Sequence, residues 1–69
     1  MNDFLEGVNA SGKLRAVMAV KNKTQADIAV ILGVTRETIN NRLEADRWLL
    51  NDLKKIASVL EIDEHILTS

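Results

Sequence analysis

Sixty-nine residues make one small domain, because a single hydrophobic core at this length uses the whole chain and rarely supplies more than about 3–5 kcal/mol. The chain is 46% apolar and 28% charged, well away from the composition of disordered sequences, and the absence of Cys excludes a disulfide scaffold, a thiolate zinc site and a cysteine nucleophile. A formal net charge of −1 argues against the usual strongly basic nucleic-acid binder, an objection that any such reading has to meet.

No apolar run approaches the roughly 18–20 residues of a membrane span, and the first residues carry acids where a signal peptide needs basic ones. The expectation is a soluble, cytoplasmic chain with no membrane partner. No Pro and only three Gly leave little of the punctuation that short strands and tight turns require, so the expected class is all-α. One domain over residues 1–69 is expected, with a helical core over 11–67. Residues 1–10 hold a Phe4, Leu5, Val8 cluster too short to assign.

From Ser11, the apolar residues Leu14, Val17 and Met18 recur on one helical face, and the segment closes in Lys21, Asn22 and Lys23. Thr24 offers an N-cap hydroxyl, and Asp27 three residues on is a short version of the Glu of a capping box, so a second helix starts at Gln25. It turns Ile28, Ala29 and Leu32 inward and stops at Gly33, suited to the left-handed conformation after a helix end. Thr35 is the next N-cap, and Arg36 to Leu43 run as a third helix with Val34, Ile39 and Leu43 toward the core. Leu49, Leu50, Leu53, Ile56, Ala57 and Leu60 form the face of a fourth, and Asp63 caps a last short turn carrying Ile66 and Leu67.

The informative stretch is Gln25 to Leu43: two helices joined by so few residues must cross steeply, which calls for a small side chain at the approach and a glycine at the reversal. Ala29 and Gly33 meet those demands. The run Thr24-Gln25-Ala26-Asp27-Ile28-Ala29, with Leu32-Gly33-Val34-Thr35 and Thr38-Ile39, resembles the helix-turn-helix of the phage Cro and repressor (XRE-like) family. Leu14-Arg15 and the segment from Leu53 to Ile62 resemble that family's first and fourth helices, extending the likeness over residues 13 to 67. The resemblance implies a compact four- to five-helix, lambda-repressor-like domain and a sequence-specific regulator of double-stranded DNA. Its third helix would enter the major groove.

Carried over by position, the base-reading candidates are Arg36, Glu37 and Asn41, with Asn40 beside them and Gln25 at a phosphate-binding helix start. The chemistry suits the task independently: Arg donates two bonds to guanine, Asn pairs with adenine and Glu accepts from cytosine. Gln25 and Thr35 read either as capping residues or as DNA contacts, Thr35 with its hydroxyl near a phosphate, and Lys23, Arg42 and Arg47 would be phosphate partners, each with the plain alternative of a solvated surface residue. With no second domain the protein would dimerise through its own surface on a palindromic operator, half-sites about 34 Å apart. Phe4, Leu5 and Val8 at one end and Ile62, Ile66 and Leu67 at the other either serve that interface or complete the core.

Three positions depart from the family pattern. Arg42 stands where an apolar residue is common, so the third helix either turns Leu43 inward or uses Arg42 on the DNA backbone. The connection through Glu44, Ala45 and Asp46 lacks a glycine and brings two acids near where phosphates should lie, and Leu49 replaces a capping Ser or Thr. Trp48 reads as a half-buried aromatic between the third and fourth helices, with base stacking as its alternative, and the solitary His65 as a surface or capping residue.

The charge objection weakens on inspection: residues 13–55 hold all nine Lys and Arg against five acids, a net of +4, and the ends carry the remaining five acids. That is enough for phosphate contacts with strong salt sensitivity. It also leaves a second function open, a protein-binding modulator of the anti-repressor type that uses its acids against a basic protein partner. With no nucleophile–base pair, metal cluster or phosphate loop in the sequence, neither enzymatic activity nor a cofactor is expected.

Overall fold

A computed structural model describes residues 9–68 and contains, in chain order, α1 (Ala10–Lys21), α2 (Gln25–Leu32), α3 (Arg36–Ala45), α4 (Leu50–Leu60) and α5 (His65–Thr68), with no strand among the described residues. The domain is all-α and compact. Helix α2 packs on both α3 and α4, α5 joins α4 to α1, and α1 also meets α3. None of these helices is long and apolar enough to cross a membrane.

Local chemistry explains the boundaries. Asn9 caps α1 through its side-chain oxygen, which accepts from the Gly12 amide at 2.8 Å and starts the helix one residue before Ser11. Thr24 and Asp27 form a reciprocal capping box on α2, and the Thr35 hydroxyl accepts from the Thr38 amide on α3. Leu49 gives α4 no side-chain cap. Helix α3 runs two residues past Leu43, to Ala45.

All of α1 to α4 end the same way. Asn22, Gly33, Asp46 and Glu61 take left-handed backbone angles, and the amides of Lys23, Val34, Arg47 and Ile62 each bond the carbonyl five residues back. Only Gly33 adopts this conformation without Cβ strain. An added Cβ at Gly33 would meet nothing within 4 Å, so the cost of Gly33→Ala is conformational. It is expected to be about 1–2 kcal/mol, and Gly33→Asn should cost less; urea denaturation of both variants measures the difference.

The core gathers Leu14, Val17 and Met18 of α1, Ile28 and Ala29 of α2, Ile39 and Leu43 of α3, Leu53, Ile56, Ala57 and Leu60 of α4, and Leu67 of α5. Leu32, Val34, Trp48 and Ile62 pack half-buried against it. Two residues expected on the inward face are not there: Leu49 is 65% and Leu50 55% exposed. Leu49 precedes the helix in extended backbone, and Leu50 occupies its first turn, so burial begins only at Leu53. The last turn also divides, with Leu67 in the core and Ile66 largely outside it. Phe4, Leu5 and Val8 lie outside the described residues.

Candidate nucleic-acid interface

The corner between α2 and α3 begins at the capping box. The Asp27 carboxylate accepts from the Thr24 amide at 2.8 Å and lies 3.1 Å from the Thr24 hydroxyl, while the Asp27 amide donates to that hydroxyl at 3.2 Å. The bond from the Thr24 amide, then that from its hydroxyl, and the nearby charge of Lys23 hold the Asp27 carboxyl below its ordinary value. Its lowered folded value means the box stabilises fully above the unfolded value and loses that stabilisation as pH falls through the folded one. Acid titration followed by Trp48 emission is therefore expected to show loss of stability below the ordinary 3.8, with Asp27→Asn removing this component. Half-buried Gln25 follows directly, and neither its amide nor that of Ala26 has a partner among the described residues.

Beyond the three residues that follow α2, helix α3 sets its two sides apart. Ile39 and Leu43 are buried, whereas Arg36, Glu37, Asn40 and Asn41 are exposed. At about 100° per residue these four cover roughly 140° of the first two turns, so one continuous polar face stands over an apolar anchor. No hydrogen bond or ion pair within the described residues uses any of the four side chains. Thr35, at the head of the helix, is exposed but engaged, its hydroxyl 2.9 Å from that of Thr38.

The acids are placed differently from what their positions in the sequence suggest. Glu44 pairs with Arg15 of α1 at 3.0 Å, and an Asp46 oxygen accepts from the Ser11 amide in the first turn of α1, also at 3.0 Å. Asp52 accepts from Arg42 at 2.6 Å in a part-buried pair that ties α3 to α4. With Asp27 in its capping box, four of the five acids of residues 13–55 are engaged within the chain, leaving Glu37. Leu43 does turn inward, and Arg42 is occupied by Asp52. The structure thus brings Arg36, Glu37, Asn40 and Asn41 together and places Arg42 on the other side of α3, paired with α4. Exposed Lys23 and Arg47 have no ion-pair partner among the described residues.

Ser11 and Asp52 were not legible as functional positions. Ser11 is buried, its amide held by Asp46 and its hydroxyl accepting from the Trp48 indole at 2.9 Å. Trp48 is half-buried as expected, but its polar edge is spent on α1, which fixes the connection between α3 and α4. Nothing in sequence spacing signals bonds across 35 and 37 residues; a small polar residue on an apolar face was the available hint. Ser11→Ala strands the indole N–H and is expected to cost about 1–3 kcal/mol, seen as a lower urea midpoint by Trp48 emission. His65 sits beside Asp63, whose oxygen accepts from the His65 amide at 3.0 Å and caps the last turn. No protein-family model matches the chain, and no curated protein or solved structure does so either.

Proposed function

We propose that the protein is a sequence-specific double-stranded DNA-binding regulator of the phage Cro and repressor kind, using α2 and α3 as a helix-turn-helix. The observation that carries the reading is the exposed face of Arg36, Glu37, Asn40 and Asn41, held over buried Ile39 and Leu43 and making no bond within the described chain. A helix inserted N-terminus first into a major groove would present this face to base edges. Lys23 and Arg47, with the amides at the start of α2 that have no partner among the described residues, would supply phosphate donors.

The acids that favour a protein partner weigh less in the folded chain, because Glu44 and Asp46 are engaged with α1. Symmetric operator binding requires a dimer, at least on DNA. The test is selection of bound fragments from random duplex DNA, followed by salt titration of the enriched sequence. Enrichment of a palindromic site with affinity falling steeply in salt supports the reading; no enrichment at low salt overturns it for the protein acting alone.

A further inference from the structure

The connection between α3 and α4 borders an open groove of ≈590 Å³, lined by Arg42, Asp46, Arg47, Trp48 and Leu49. Trp48 is a fixed wall of it, because its indole N–H is held by the Ser11 hydroxyl at 2.9 Å. Beside the groove stand Leu49 and Leu50, 65% and 55% exposed. Leu49 occupies the N-cap of α4, where a polar side chain would bond the first amides, and it makes no such bond. The chain thus forgoes a cap and leaves two neighbouring leucines beside a tryptophan in water, a costly arrangement in a domain with so small a core.

Charge decides what fits. Arg42 and Asp52 neutralise each other at 2.6 Å. Of the remaining groups, Asp46 uses one carboxylate oxygen on the Ser11 amide, and Arg47 has no ion-pair partner among the described residues. The patch therefore carries one acid beside one base and no net charge. Neither a strongly acidic nor a strongly basic partner matches it, whereas an inverted copy of itself does. We infer that the Asp46–Leu50 surface is a two-fold contact between two copies of this chain. Leu50 of each copy enters the groove walled by Trp48 and Leu49 of the other, and Arg47 of each faces the other's Asp46. Three apolar residues are a fraction of the roughly 800 Å² that a stable interface takes from each partner, so the pairing is weak and depends on concentration.

This contact stands without the DNA reading. Joined to it, the contact supplies the dimer that a symmetric operator requires, and the Arg47 guanidinium has donors for both the facing carboxylate and a phosphate. The test uses the full chain and no DNA, so its failure is distinct from failure of the DNA reading. Sedimentation equilibrium is expected to show a mass rising from one chain of 7.7 kDa toward two as the concentration climbs to about 1 mM. Over the same range, acrylamide quenching of Trp48, the only Trp, is expected to fall about twofold as the groove is covered. Leu49→Ser with Leu50→Ser should hold the protein at one copy with helical content by circular dichroism unchanged, since neither leucine belongs to the core. Arg47→Glu brings like charges together and is expected to weaken pairing about tenfold, an effect that high salt reduces; it carries the test should the first variant not fold. A chain that stays single at about 1 mM overturns the inference. So does a dimer that survives the leucine replacements at full strength, or a mass that climbs past two copies, since a two-fold contact closes on itself.

Discussion

Replacing Arg36 and Asn41 together by Ala is expected to abolish preference for the selected DNA sequence while leaving weak, salt-dependent binding and full helical content. Both side chains project from the first two turns of α3 and bond nothing among the described residues, so the fold does not depend on them. Each well-formed bidentate contact to a base is worth about 1–3 kcal/mol of discrimination, roughly five- to 150-fold in relative affinity. On the proposed reading, Lys23 and Arg47 would remain to hold phosphate. Lys23→Ala or Arg47→Ala should weaken binding to all sequences alike and reduce the salt slope by about one unit each. Repeating the selection with the double variant, beside circular dichroism, separates the two effects; equal enrichment of the same sequence would sink the assignment of Arg36 and Asn41 while leaving the fold intact.

Ile39→Ala is expected to leave the chain largely unfolded at room temperature. Ile39 is fully buried and, with Leu43, is one of only two buried residues that hold α3 to the rest of the core. Truncating a buried isoleucine costs about 2–5 kcal/mol, against a total of about 3–5 kcal/mol for a core of this size. Ile39→Val should cost only about 0.5–1.5 kcal/mol and remain folded. Urea denaturation of the two variants tests the ordering. A folded Ile39→Ala protein with a near-native midpoint would show that α3 is held chiefly by its polar ties, the Arg42–Asp52 pair and the bonds between the connection and α1.

Much of the architecture was legible because its determinants are local. Thr24, Asp27, Gly33 and Thr35 act within three or four residues of where they stand, and α2 begins and ends where they indicate. Leu14, Ile28, Ile39, Ile56 and their periodic neighbours mark the buried faces, since helical spacing alone puts them on one side. The exposed α3 face was readable for the same reason. The same periodicity misled at Leu49 and Leu50, which continue the α4 pattern backward past the point where backbone and core support it.

The amino-acid sequence by itself determined an all-helical chain, three of its helix N-caps, the glycine at the α2 end and the polar composition of the α3 face. Only the tertiary structure decided what the charges do: Glu44 answers Arg15, Asp46 holds α1, and Asp52 takes Arg42 from the side of α3 opposite Asn40. Helix caps and amphipathic faces arise from neighbours a few bonds or one turn apart, whereas ion pairs across 10 and 29 residues exist only once crossing helices set the distance between their side chains.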